Sequence, residues 1–494
     1  MGTVVIENFA GGVDRSRPIY AMANGTLWEG INGHLTRGGD FEKRKAFVSA
    51  LTLPANTFGL FTLGKNLYVF GSIATPVGFP FSVSMPSGVP FPNGMTIQYR
   101  RLQHTTTSIA MTALLFADVF EGNIYAIAKF ADGSIFHYHG TTMLTHWNGL
   151  GVGYPTTKGV IAKTYKRKIY SAAGSLLYFS GLDHPEYWYW GTSPAPTYPG
   201  AGFLNMSNHQ TGSETVTAIG VYKSQLAVFA RRIIQLWSMQ NDPTLNVPAQ
   251  IISETGTRSP KSVRGFGDFD TFYLSDSGIR SLRAADYAST AGVVDVGTPI
   301  DTLVRSQLED VTDADVERAV ACVEPIDGRF WLVLGGKIFV FSYFPTKKIT
   351  GWSWYEPGVS ISELAAIEDR IWCRAGDTVL LYGGTDNATY DDAVATMQLP
   401  FISMREQSSY KQCIGFDAAV SGTWNVDLLL DPNDLGQIVQ VGLVDNMTYN
   451  DPNIGAVGYG THIAPRLVSQ GTGAAAVSSV ALHFFPGAKD AGSK

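Results

Sequence analysis

"AVACVEPIDGRFWLVLGGKIFVFSYFPTKKITGWSWYE", residues 319–356, decides the fold class. Runs of aliphatic and aromatic residues are cut by Asp327-Gly328 and by Gly336-Lys337, dipeptides that reverse a chain tightly. The stretch reads as strand, tight turn, strand, tight turn, strand. The same pattern occurs at 57–72, 114–140, 160–181, 216–240, 263–284 and 361–384. Its starts recur roughly every 50 residues, the spacing of propeller blades. One such sheet cannot cover both of its faces. Packing several face to face around an axis buries the faces and shelters the edges. The expected fold is therefore all-β: a β-propeller of six or seven blades.

Composition agrees. Only 16% of the 494 residues are charged, while 45% are hydrophobic and 12% aromatic, with 53 glycines. Few helix-favouring Lys and Glu against many Tyr, Phe, Trp and Gly describe a strand-and-turn protein. A formal net charge of −6 argues against gripping nucleic acid through a wholly basic surface.

Around the repeats, the pattern predicts three parts. Residues 1–50 form an N-terminal extended segment leading into the first blade, and 51–394 form the propeller. Residues 395–494, with longer strands and Gly- and Asn-rich loops, form a C-terminal β-sandwich or barrel-like domain. Two interruptions fall inside the propeller. The Pro- and Gly-rich 74–100 is an extended excursion from the first blade. Residues 298–320 are helical, with Ile300, Leu303, Val304 and Leu308 on one face and Thr298-Pro299 at the entry.

Cys322, Cys373 and Cys413 are widely spaced and odd in number, so neither a disulfide framework nor a zinc site is expected. They fit free thiols in a reducing cytoplasm. "MGTVVIENFAGG" at the start lacks a secretory pattern. The most apolar stretch, 108–120, is too short to span a bilayer and contains Asp118. No membrane insertion is expected.

Motifs for nucleotide, metalloprotease or serine-hydrolase chemistry are missing. No catalytic residue, metal or cofactor is assigned, and the chain is not expected to be an enzyme. His137 and His139 share a strand face near His146; a polar strand face outweighs a metal site. Residues 427–436, "DLLLDPNDLG", resemble a calcium loop without its spacing and read as a turn. Residues 183–192, "DHPEYWYWGT", offer Tyr187, Trp188 and Trp190 as a glycan platform, though aromatic packing between blades explains them better. The "KRK" groups at 43–45 and 166–168 fit local salt pairing.

The first fifty residues, "ENFAGGVDRSRPIYAMANGTLWEGINGHLTRGGDFEKRKAF" (7–47), carry a resemblance. Gly11, Gly12, Pro18, Gly25, Asn32, Gly39, Lys43 and Arg44 resemble the N-terminal signature of bacteriophage tail nozzle proteins. These are the tail tubular protein B and packaged-DNA stabilisation proteins of short-tailed phages. Members often have Pro-Gly after the Lys-Arg pair, where this chain has Lys45-Ala46. The resemblance implies a structural virion protein made in the bacterial host cytoplasm. It implies a homo-hexamer below the portal, docked on the tail adaptor (head-to-tail connector) ring and contacting fibre or needle proteins. The ring would enclose double-stranded DNA without reading its sequence, retain the genome and take part in DNA ejection. The signature residues would then serve family identity and assembly. A propeller-type glycan-binding or glycan-degrading tail protein is the alternative, and a cytoplasmic scaffold propeller a third.

Overall fold

The computed structural model describes residues 2–73, 95–144, 152–192, 196–209, 214–267, 270–286, 295–404, 409–445, 455 and 457–486. Six small sheets and the first four strands of an eleven-stranded one form seven blades. Blade 1 comprises Phe58–Leu63, Asn66–Gly71 and Thr96–Arg101. Blade 2 comprises Met111–Phe120, Asn123–Phe130, Ile135–His139 and Thr142–Leu144. Blade 3 is built from Ile161–Tyr165, Lys168–Ala173, Leu176–Phe179 and Gly202–Asn205. Blade 4 follows with Ala218–Tyr222, Gln225–Phe229, Ile233–Ser238 and Val247–Ser253. Blade 5 holds Arg264–Phe266, Asp270–Ser275 and Gly278–Ser281. Blade 6 contains Val320–Val323, Phe330–Leu334, Lys337–Phe344 and Ile349–Tyr355. Blade 7 contains Glu363–Ile367, Arg370–Ala375 and Thr378–Tyr382, and its fourth strand is Phe47–Thr52. Each blade's first strand touches that of the next, and blade 7's touches blade 1's, so the ring is closed. The protein is an all-β, seven-bladed propeller.

The hydrophobic clusters coincide with the blade interfaces. Leu67, Val69 and Ile97 of blade 1 meet Trp372, Val379 and Leu381 of blade 7. Trp331 and Val333 of blade 6 meet Ile371 and Cys373 of blade 7. Trp237 of blade 4 packs with Tyr170 and Phe179 of blade 3. Each large apolar side chain buried this way contributes about 1.5–3 kcal/mol, which is why the repeats are aromatic where blades touch.

Several hairpins turn through two successive left-handed residues, such as Glu121-Gly122, Lys166-Arg167 and Gly335-Gly336. That geometry matches strand twist. Blade 1 is the exception. Its third strand runs parallel to its second, and a parallel partner requires a long crossover. The expected excursion of 74–100 runs too far, because Thr96–Arg101 is a strand of the blade itself; residues 74–94 lie outside the described part.

The expected helix of 298–320 is split. A 3₁₀ turn over Thr298–Ile300 leads into Asp301–Asp310. After Val311, Thr312 caps Asp313–Glu317 by accepting from the Asp315 amide. Ile300, Val304 and Gln307 are buried against blade 5 and the turn after blade 6's second strand, and Leu303 and Leu308 are partly buried.

The termini depart from the expected order. Phe47–Thr52 is the outer strand of blade 7, antiparallel to Thr378–Tyr382. The segment thus closes the ring from the last blade instead of opening the first. The residues before it belong to a two-sheet sandwich. One sheet runs Gly458–Gly460, Lys411–Ser421, Ala476–Pro486, Phe41–Lys43, Gly33–Leu35, with Gly2–Ile6 also on Ala476–Pro486. The other continues blade 6 outward: Ile349–Tyr355, Glu29–Ile31, Thr396–Gln398, Ala464–Gln470, Thr423–Asp431, Asp434–Val444. Phe41 and Ile6 join Trp424, Phe416 and Leu482 in one core. The stretch 32–43 therefore completes the C-terminal sandwich, and residues 1–50 are not a separate extended part.

Candidate functional site at the seam between propeller and sandwich

Where the two modules meet, the chain between Asn8 and Phe47 is pinned at several points. Asn32 sits at φ 51°, a left-handed conformation Asn tolerates. Its amide donates to the Trp354 carbonyl and its Nδ2 to the Val394 carbonyl. Its Oδ1 accepts from the Glu356 amide at 2.8 Å and from Arg44 Nε at 3.1 Å. Arg44 lies over the Phe47 ring and donates Nη1 to Asp391 Oδ2 at 2.8 Å and to the Lys45 carbonyl. Lys43 Nζ donates to the carbonyls of Asp391 and Gly471, each at 2.9 Å. Burial pulls its ammonium pKa down, and Asp391 pushes back. Both cations are buried. A buried charge survives only with such partners. Lys43 and Arg44 thus spend their charges within the chain, where a neighbouring subunit cannot reach them.

The glycines of the same stretch allow close approach. Gly12, at φ 56°, bridges to Trp352 of blade 6; a Cβ there would lie 2.5 Å from the Gly351 Cα. Gly11 and Gly25 are joined by a backbone bond, and Gly39 receives one from Phe9. Pro18 is exposed, in a turn whose carbonyl accepts from Ala21. Among the signature residues it stands apart from the seam. Replacing Asn32 with Ala strands Arg44 Nε, the Glu356 amide and the Val394 carbonyl. The expected loss is about 2 kcal/mol of unfolding free energy, read from urea denaturation at pH 7.

A cavity of about 80 Å³ adjoins the seam, lined by His34, Glu42, Lys45, Arg329, Trp331, Tyr355 and Tyr382 among others. The Tyr355 hydroxyl and His34 Nδ1 are hydrogen-bonded at 2.8 Å, and His34 Nε2 faces Glu42 at 3.8 Å. Burial, then Arg329 and Lys45, hold the His34 pKa well below its usual value. Burial raises the Tyr355 phenol well above its usual range and pushes Tyr382 up to about 12. Arg329 is tied to Asp327 at 2.7 Å and to the Leu35 carbonyl. This cluster orders the junction and has room for a few waters.

The propeller axis holds a larger cavity, about 540 Å³, lined by inner strands. Its charges pair across blades: Lys163 of blade 3 with Asp118 of blade 2, and Lys261 with Glu363 of blade 7. That volume suits a small molecule and cannot pass a nucleic-acid duplex.

The remaining sequence candidates fall into packing roles. His137 is fully buried; Tyr125 donates to its Nδ1 at 2.7 Å and its Nε2 donates to the Gly159 carbonyl. Both nitrogens are spent, and burial pushes its pKa down to about 3. His139 packs edge-on against Phe120; His146 lies outside the described residues. Among the described residues no group of three or more His, Cys, Asp or Glu could hold a metal ion. Trp188 is buried, with its indole on the Pro185 carbonyl, so it cannot stack on a sugar. Trp190 stacks on Tyr178, and Tyr187 meets Tyr198 edge-on. Residues 427–436 form a hairpin whose turn is held by Asp431 on the Asn433 amide. Of the 166–168 group, Lys166-Arg167 is a turn. Lys168 is buried on the Gly200 and Asn241 carbonyls, with its pKa lowered to about 8 by burial.

Asp391, Glu356 and Val394 went unpredicted at the seam. Two act through backbone groups, which carry no side-chain signature, and all lie more than 300 residues from the signature.

No protein-family model matches the chain, and no curated protein does. Among solved structures it is similar to BamB from Moraxella catarrhalis, at 10% identity over 68% of this chain and 96% of that one, TM-score 0.35. It is similar to the extracellular domain of the putative one component system BT4673 from B. thetaiotaomicron, at 10% identity, TM-score 0.37, covering 76% of this chain and 45% of that one. The WD40 propeller domain of Doa1 gives 11% identity, TM-score 0.31, and coverage of 56% and 80%.

Proposed function

We propose that the chain is a non-catalytic structural subunit of a phage tail nozzle, a ring that prolongs the DNA conduit, retains the genome and yields at ejection. The observation carrying this reading is the seam. Four residues of the nozzle-like signature, Gly12, Asn32, Lys43 and Arg44, join propeller and sandwich within one chain, and Gly11 and Gly39 bond within the same stretch. The resemblance thus rests on one coherent structural device. A sheet that runs unbroken from blade 6 into the sandwich resists bending between modules, as a wall holding pressurised DNA must. The propeller axis is too narrow for a duplex, so the conduit lies between copies. A net charge of −6 per copy lets phosphates slide past instead of sticking.

Electron microscopy of the purified protein, alone and on the adaptor ring of the same phage, tests this. Sixfold rings with a hole of duplex width are expected. A persistent monomer that degrades capsular polysaccharide overturns the proposal.

A further inference from the structure

The first strand of each blade is paired on one side only, so its other edge looks toward the propeller axis. The axial cavity of about 540 Å³ is lined by these first strands of all seven blades. Side chains of neighbouring blades cover part of the bare edges. Asp118 accepts from the Thr164 amide at 2.7 Å, and Arg264 Nε donates to the Ala321 carbonyl at 2.8 Å. Thr271 Oγ1 donates to the Val221 carbonyl at 2.9 Å.

The charges on this wall do not cancel. Asp118 is paired with Lys163 and Glu363 with Lys261, each across blades. Arg264 is the remaining charged group of the lining, and among the described residues it has no carboxylate partner. Its Nε is spent on Ala321, while its two Nη groups bond to none of the described residues, and the residue is exposed. Phe61, Phe116, Val221 and Val263, all half-buried, give the same wall an apolar part. A Cβ on Gly265, next to Arg264, would meet no heavy atom within 4 Å, so the lining is open there.

We infer that the axial cavity is a binding site for a small organic anion, an apolar body carrying one acidic group, with Arg264 as the cation that anchors it. The volume lies in the range of small-molecule sites. It is many times the ~30 Å³ that one water occupies, so a bare inorganic ion would leave the apolar wall wet. A neutral ligand would leave the guanidinium unanswered, and a cationic one would be repelled by it. A guanidinium with both Nη groups free meets a two-oxygen anion through parallel hydrogen bonds. The inference goes beyond the nozzle reading and does not rest on it.

The test uses the full chain and two fluorescent probes of similar shape, 8-anilinonaphthalene-1-sulfonate and its uncharged counterpart N-phenyl-1-naphthylamine. Fluorescence titration of the wild type is expected to show saturable binding of the sulfonate, at least about tenfold tighter than the neutral probe. Arg264→Gln should weaken the sulfonate at least about tenfold and leave the neutral probe unchanged. Gly265→Trp should fill the cavity and abolish binding of both. Arg264 is exposed and Gly265 needs no left-handed conformation, so both variants should keep the wild-type melting temperature. A wild type that shows no saturable binding of the sulfonate overturns the inference. So does a sulfonate affinity that Arg264→Gln leaves unchanged, or undiminished binding by folded Gly265→Trp. If Gly265→Trp fails to fold, the Arg264→Gln comparison decides alone. A chain that discriminates the probes as expected but forms no ring keeps this site and sinks the nozzle reading.

Discussion

Arg44→Met is expected to lower the unfolding free energy by about 3–5 kcal/mol, the cost of breaking a buried ion pair from one side. The Arg44 side chain is only 2% exposed and serves Asn32, Asp391 and the Lys45 carbonyl at once. Methionine fills much of the volume over Phe47 but withdraws the Arg44 donors from the Asp391 carboxylate, the Asn32 amide oxygen and the Lys45 carbonyl. Asp391 keeps 30% exposure, so water recovers part of its loss and the lower half of the range is expected. Arg44→Lys should restore one bond and the charge but not the fork that meets Asn32 and Asp391 together, an intermediate result. Urea denaturation at pH 7 gives the number. A loss under about 1 kcal/mol would mean that solvent, and not this network, supports the seam.

The second large effect is acid sensitivity from His137. Its folded pKa is about 3 because burial excludes the imidazolium, while the unfolded chain titrates near 6.5. Between those values the unfolded state binds a proton that the native state refuses. Stability therefore falls as pH drops below about 6.5, by about 1.4 kcal/mol per unit, or about 2 kcal/mol by pH 5. Above 6.5 the group contributes no pH dependence. His34, depressed in the same direction, steepens the decline. Asp295 acts the other way, because burial raises its carboxyl to about 6 and its protonation favours the native state on acidification. The whole-protein curve sums these terms, so the clean measurement is a difference. His137→Gln keeps an acceptor for Tyr125 and a donor for Gly159 but cannot ionise. Its unfolding free energy should vary with pH between 6.5 and 4 less steeply than the wild type, by about 1.4 kcal/mol per unit. Parallel curves would show that His137 takes its proton inside the fold.

The blades were legible because each is written locally. In 319–356 the apolar runs, the Asp327-Gly328 turn and the Gly335-Gly336 turn lie within one short segment, and their strands pair with sequence neighbours. The helix of 298–320 was legible for the same reason, although its break at Val311 and the burial of Gln307 were not. Trp188 read as packing in preference to a glycan platform, but the sequence left the second open, since an aromatic run looks the same facing a neighbouring blade or solvent. Only neighbours supplied by the fold separated the two.

The opening residues show where local information ends. "NGHLTRGGDFEKRKAF" (32–47) read as the entrance to blade 1. Its hairpin instead pairs with the strand Ala476–Pro486, and Phe47–Thr52 pairs with Thr378–Tyr382. The sequence by itself determined that this chain is made of repeated strand-turn-strand units with apolar faces to share. It also determined that Gly39 would turn and that Lys43 and Arg44 would need partners. The tertiary structure decided how many blades close the ring, which strand closes it, and that the two ends of the chain build one sandwich. The physical reason is that backbone hydrogen bonds between distant strands are chemically alike. Their choice rests on which apolar faces and buried charges can all be satisfied together.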